Sequence, residues 1–270
     1  MALSQGVRAG HVLLTAEVSA EWADRVLELL VTSGVDEEDI ALARFDEIGP
    51  IRPGHPASLI WTDVLGQARV NARPVARYLI FMVAAGVIAG FGVIQANQIL
   101  IVGAMAVSPD LLPITAACVG LVSRRGRLVA RALVTLVVGM AATCLSATGI
   151  TLFLDLFALM PSNFEVGESA LSGLTTVNSS TIGVALAAGV AGMLALETRA
   201  SAAVGVAISV TTIPAAAYLG VAAGVGEADK ALGALAVLGV NVSMLLLAGT
   251  LTLLIQRRLA ETERRARAAG

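Results

Sequence analysis

Asp110 is the side chain in this 270-residue chain whose position most demands a chemical reason. It lies in Val102–Pro113, an apolar run interrupted by Ser108, Pro109, Asp110 and Pro113. A carboxylate inside a run of spanning length is costly unless it faces a cavity or a partner, so its default role is functional. Pro109 and Pro113 remove backbone donors and disrupt helical hydrogen bonds. The freed carbonyls, with Ser108 and Asp110, make a set of oxygens suited to a cation or a proton. A second interrupted run, Val204–Pro214, carries Ser209, Thr211, Thr212 and Pro214, whose hydroxyls would oppose the first break. Asn241 adds a polar group inside a later apolar run. Corresponding interrupted helices in two halves of a chain point to a transporter-type site. The competing reading puts the break near a membrane surface, with Asp110 merely solvated. About 12 residues precede Asp110 in its run, which favours mid-depth.

Those residues need apolar helices to hold them. The chain is 57% hydrophobic and 14% charged, against roughly 25% charged in a soluble domain. A helix crosses the hydrocarbon core with about 20 apolar residues. Six segments fit, near 78–95, 98–122, 128–158, 179–196, 200–225 and 231–256. Arg69, Arg73 and Arg77 precede the first, Arg124, Arg125, Arg127 and Arg131 join the second to the third, Arg199 lies between the fourth and fifth, and Arg257, Arg258, Arg264, Arg265 and Arg267 follow the sixth. With six crossings all of these fall on one side, which the positive-inside rule makes cytoplasmic, together with both termini. The expected place is therefore the inner (cell) membrane, as a multi-pass protein.

Shifting the sequence by 102 positions lays Ala89-Gly90 on Ala191-Gly192 and Val102-Gly103 on Val204-Gly205; one deletion then lays Ser108 on Ser209 and Pro113 on Pro214. The breakers thus fall in the second and fifth segments, which predicts a 3+3 inverted repeat with two Pro-broken helices. Gly86 with Gly90, and Gly189 near Gly192, read as points of close helix contact.

Before the spans, residues 1–50 read as a small cytoplasmic βαβ unit. Val12, Leu14, Ala16 and Val18 alternate as a strand, Trp22, Val26, Leu29 and Leu30 share a helical face, and Ile40, Leu42 and Phe45 form a second strand-like run. So small a unit buries little core alone, which predicts docking or a homo-oligomer. Residues 51–77 read as a Pro/Gly-rich linker and an interfacial helix anchored by Trp61. Residues 78–256 form the membrane domain and 257–270 a basic cytoplasmic tail. The fold class is mostly α: a six-span helical membrane domain behind a small βαβ unit.

No phosphate loop, Ser-His-Asp arrangement or zinc spacing occurs. Cys118 and Cys144 read as small buried hydrophobes, distant from His11 and His55. The expectation is no enzyme, no cofactor, no metal centre and no nucleic-acid partner; the partners are the bilayer and an unknown small solute or ion.

The stretch Ile101–Gly120, with its Gly-Ala-Met…Ser-Pro…Leu-Pro-Ile order, resembles the bacterial hydrophobic-domain membrane family known as domain of unknown function 389. Leu186–Leu196, Val204–Pro214 and Gly239-Val240-Asn241 extend the resemblance to about 75–258. In that family the first break commonly reads Pro-Leu-Met-Gly-Pro, where this chain has Pro109-Asp110-Leu111-Leu112-Pro113, and the second commonly has two adjacent prolines, where this chain has Ile213-Pro214. Asp110 is thus a departure that marks a subtype. The resemblance implies a fold and a membrane location and no activity. Two functions remain: an ion or small-solute transporter or channel with its site between the broken helices, or a non-transporting scaffold or sensor whose N-terminal unit binds a cytoplasmic partner.

Overall fold

In the computed structural model, residues 2–5, 12–15, 20–35, 40, 61–73, 75–161, 176–198 and 201–269 are described. They form two compact units, Met1–Val64 and Leu65–Gly270. The first unit contains β1 (Ala2–Gln5), β2 (Val12–Thr15) and α1 (Ala20–Thr32). β2 falls where a strand was expected, but its partner differs. β1 pairs with it antiparallel, Leu3 opposite Leu14 and Gln5 opposite Val12. β1 is a strand that the expected βαβ arrangement did not include, and that arrangement is not seen among the described residues. The short intervening segment explains the antiparallel pairing of β1 and β2, since parallel pairing needs a long crossover and antiparallel pairing does not. The rest of the expected second strand and the linker fall in residues 41–60, outside the described residues.

α2 (Trp61–Asn71) covers part of the expected interfacial helix and leads into the second unit. There follow α3 (Ala76–Ile94), α4 (Gln98–Val107), α5 (Leu111–Val122), α6 (Gly126–Leu156), α7 (Ser179–Thr198), α8 (Ser201–Val225) and α9 (Ala228–Ala269). α3, α6 and the Ala228–Leu259 part of α9 are each long and apolar enough to cross a membrane. The pair α4–α5 makes a fourth candidate crossing if counted as one, with a 55° bend at its break. α7 and α8 are apolar over Ser179–Leu194 and Ser209–Val225, which is shorter than that length among the described residues. These are the dimensions of a membrane protein. α9 also absorbs the expected separate tail, since it continues without a break to Ala269.

Two tight turns fix the broken pair. After α3, Ala96 takes a left-handed φ of 50°, and Asn97 N–H donates to Gly92 C=O at 2.8 Å. After α5, Arg124 takes φ 54° and Arg125 N–H donates to Gly120 C=O at 2.9 Å. Both are helix C-terminal caps that satisfy orphan carbonyls and reverse the chain. Asn97 then caps α4, its side chain accepting from Ile99 N–H at 2.9 Å and Leu100 N–H at 3.4 Å.

Glycine sets the packing. Gly86 faces Thr143 and Ser146 of α6, and Gly90 faces Ala147 and Ile150, so α3 runs alongside α6 in the same direction. Gly220 lies against Cys144 and Ala147, and Gly224 against Thr151, so α8 runs that way too. Gly189 packs on Leu245 and Ala248 of α9. At each of these positions a Cβ would collide with the neighbouring helix, and the close approach that glycine permits is how helices associate where lipid is as apolar as the interface.

The two interrupted runs differ. α4 ends at Val107, and Ser108 takes φ −70° and ψ 129°, the extended geometry forced on a residue before proline. α8, by contrast, continues through Pro214. The expected second broken helix is therefore a wound helix. Asn241 Nδ2 donates to Thr211 C=O at 2.5 Å, within the turn that Pro214 disturbs. A neighbouring helix thus adds a donor to a carbonyl one residue beyond Val210, whose helical N–H partner Pro214 lacks.

Candidate functional site

Asp110 sits immediately before α5, with φ −65° and ψ −19°. Pro109 stops α4 because it has no N–H to continue the ladder. Pro113 lies in the first turn of α5, where a missing N–H removes nothing the helix would have used. The two prolines end one helix and start the next around Asp110. Leu112 N–H donates to Pro109 C=O at 3.1 Å, and Ile114 N–H to Asp110 C=O at 3.4 Å, so the new helix takes up the carbonyls at the break.

The Asp110 side chain is 0% exposed. Ser209 Oγ donates to its Oδ1 at 2.5 Å, and Thr212 Oγ1 donates to its Oδ2. Ser209 and Thr212 are three residues apart on α8 and so share one face. Ser108 is buried beside them, its hydroxyl 3.4 Å from Met82 Sδ of α3 and within hydrogen-bonding reach of the Asp110 carboxyl group. Among the described residues, no Lys, Arg or His pairs with Asp110. The side chains that bond the carboxyl group among the described residues are hydroxyls, in a setting where an unpaired charge is expensive.

Of the other expected site residues, Pro113, Pro214, Thr211 and Asn241 are buried and Pro109 is half-buried. Thr211 is drawn in through its backbone carbonyl, by Asn241. Asn241 therefore braces α8 at its proline, and no hydrogen bond joins it to Asp110. The structure brings Ser108, Asp110, Ser209 and Thr212 into one cluster, with Thr211, Asn241 and Pro214 one layer behind.

A family model described as Domain of unknown function (DUF389) matches residues 105–247, just over half of the chain. The chain belongs to this family. No curated protein and no solved structure matches it. The DUF389 match begins in α4, before the break, and ends in α9, beyond Asn241. It therefore contains Asp110, both of its α8 hydroxyl partners and the brace behind them.

One neighbour of the site, Met82, lies outside the expected set, and Tyr78 and Gly139 pack together near it on α3 and α6. Met82 meets Ser108. Tyr78, one turn before it on α3, is 6% exposed, and its hydroxyl has no hydrogen-bond partner among the described residues. Gly139 of α6 makes room for that phenol, since a Cβ there would strike the Tyr78 hydroxyl, Cζ and Cε1. Tyr78 had a signal in the sequence: the chain has two tyrosines, and this one follows Arg77 at the start of an apolar segment. Met82 and Gly139 had none, because both are ordinary in a membrane helix.

Proposed function

We propose that this DUF389 protein is a six-crossing inner-membrane transporter or channel for a small ion or solute, with Asp110 as its binding group. The observation that carries the reading is a fully buried carboxyl group at a helix break, bonded by the hydroxyls of Ser209 and Thr212 with no cation paired to it among the described residues. Such a group is costly in a bundle that needs only to pack, and hydroxyls are ligands that can turn from the carboxylate to a bound ion. Its complete enclosure corresponds to a closed state between openings.

Six crossings follow if α7 and α8 are spans beside α3, α4–α5, α6 and α9. The shared direction of α3, α6 and α8 supports this count, as does the gathering of Arg73, Arg77, Arg124, Arg125 and Arg127 at one end of α3, α5 and α6. A 3+3 relation is supported by pairing: α3 packs on α6 as α7 packs on α9, and α6 packs on α8 as α5 packs on α9. The first unit serves as a cytoplasmic module that pairs with a second copy, because a two-stranded sheet is marginal alone. The protein is no enzyme on this reading.

The test is a thermal-shift screen of purified protein and its Asp110→Asn variant against ions and small metabolites, followed by flux in vesicles. A ligand of the folded state adds RT ln(1 + [L]/Kd), about 2.7 kcal/mol at a hundredfold excess. The expected result is a shift and a flux in the parent protein, both absent in the folded variant. Unchanged flux in Asp110→Asn refutes the assignment. The tight enclosure of Asp110 favours one alternative, a scaffold or sensor in which the cluster only locks α4–α5 onto α8. That alternative predicts no flux at all, with stability as the only casualty of the substitution.

A further inference from the structure

We propose that the arginine-rich end shared by α3, α5 and α6 binds the headgroup of an anionic phospholipid. This surface lies at the opposite end of α5 from Asp110, and the proposal stands apart from the role assigned to that residue.

Charge runs one way in this part of the chain. From Val64 to Leu154 the sequence holds seven arginines, no lysine and a single acid, Asp110. Asp110 is enclosed before the start of α5, so it neutralises nothing beyond the end of that helix. Arg73, Arg77, Arg124, Arg125, Arg127 and Arg131 are all exposed. Among the described residues none of the six pairs with an acid, and neither α3 nor α6 has an acid in its first turn.

Helix packing gathers these side chains. Thr135 Oγ1 of α6 donates to Ala72 C=O at 2.9 Å, so the residue before Arg73 sits one turn from Arg131. Tyr78, the residue after Arg77, is seated against Gly139, one further turn along α6. Gly120 of α5 lies against Leu128 and Val129, so the Arg124–Arg125 turn closes beside Arg127. The starts of α3 and α6 and the end of α5 therefore meet, and the arginines meet with them.

The place suits a headgroup. α6 has 31 residues, a length of roughly 46 Å at the helical rise, against a hydrocarbon core of about 30 Å. The surplus lets its first two turns, with Arg127 and Arg131, stand outside the core. The Arg77 guanidinium lies 5.8 Å from the ring centre of exposed Phe81, which holds it on the outer side of α3 where lipid runs. Guanidinium groups grip phosphate through paired N–H donors, and basic pockets between membrane helices seat anionic headgroups. A zwitterionic headgroup brings its own cation and leaves the excess positive charge standing. An anionic one removes it.

The experiment is native mass spectrometry of the full chain released from neutral detergent micelles, with phosphatidylglycerol and phosphatidylcholine of the same acyl chains added in equal amounts. The readout is the ratio of the two lipids bound. The parent should favour phosphatidylglycerol roughly tenfold or more, and each of Arg73→Gln, Arg127→Gln and Arg131→Gln should lower that preference roughly fivefold, the factor one basic residue contributes beside an anionic surface. Arg258→Gln, an exposed position near the end of the apolar part of α9, should leave it unchanged. If one Gln variant fails to fold, the others read the same ratio, and Arg127→Lys/Arg131→Lys must keep it. Equal binding of the two lipids by the parent overturns the proposal, as does a preference untouched by the three substitutions. An equal fall in Arg258→Gln overturns it too, because diffuse surface charge then explains the preference. Displacement of the lipid by inorganic phosphate at matched concentration would assign the arginines to a soluble anion. A preference absent from the parent that emerges on combining Asp36→Asn, Glu37→Gln, Glu38→Gln and Asp39→Asn would assign them to the chain's own acidic segment.

Discussion

The contact between Thr212 and Asp110 can be weighed by a double-mutant cycle. Thr212→Val keeps the side-chain shape and removes the hydroxyl that donates to Asp110 Oδ2. Asp110 is wholly enclosed, so no solvent replaces the lost donor. Ser209 is committed to the other oxygen, Oδ1. A hydrogen bond to a charged group contributes about 1.5–3 kcal/mol, and an abandoned buried acceptor costs on the same order. Thr212→Val alone should therefore destabilise by about 2–3 kcal/mol. In an Asp110→Leu background the same change removes a hydroxyl that no longer has its acceptor, and the cost should fall to about zero or change sign. The coupling energy is then about 2 kcal/mol, well above the ~0.5 kcal/mol scatter expected of independent sites. Reversible unfolding in mixed detergent, measured on the parent, both singles and the double, gives the number. Additive effects would refute the direct contact, and with it the account of Asp110 as held by α8. The fully apolar variant Asp110→Leu/Ser209→Ala/Thr212→Val extends the cycle. Replacing a buried polar cluster by apolar groups is often neutral or stabilising. A stable, inactive triple variant would show that the cluster is kept for function.

Two further outcomes follow from packing. Gly86→Ala places a Cβ against the Thr143 backbone and Ser146, which the seam cannot relieve by side-chain motion alone. It should cost about 1–3 kcal/mol in unfolding free energy, as overpacking does, whereas Gly103→Ala, with open space around it, should be neutral or slightly stabilising. Asn241→Ala leaves Thr211 C=O without its α9 donor and should lower stability by about 1–2 kcal/mol in the same unfolding assay, while ligand-induced thermal shifts persist in the folded fraction because Asn241 does not touch Asp110.

Helix positions were legible in the sequence because apolar length is a one-dimensional property. The segments expected at 78–95 and 128–158 appear as Ala76–Ile94 and Gly126–Leu156. The family was legible too, through the order of Gly, Ser and Pro around Ser108 and Ser209. The partner of Asp110 was half legible. Ser209 and Thr212 were named as hydroxyls opposite the break, and they meet it. Thr211, one residue from Thr212, gives its backbone carbonyl to Asn241, a contact that a list of polar side chains does not reveal. The strand pairing in the first unit was not legible. Residues 2–5 show no long alternation, so the run that pairs with Val12–Thr15 carries no period by which to find it.

The prolines carry the deeper lesson. The repeat lays Pro113 on Pro214 and leaves Val210 opposite Pro109, so only the first run has a proline directly after its serine. The outcomes differ: α4 stops before Pro109, whereas α8 winds on through Pro214. At Pro214, Asn241 reaches across to the disturbed turn, and Ile213, Ala215, Ala216 and Ala217 are all fully buried, so packing holds the helix wound. At Pro109 a second proline four residues later offers a ready helix start, and the chain gains by ending one helix and opening another. The result sets a hinge-like link, Ser108-Pro109, against a continuous helix. Asp110 hangs on the link while both of its strong partners ride on the helix. The cluster therefore ties the 55° bend between α4 and α5 to the continuous helix α8.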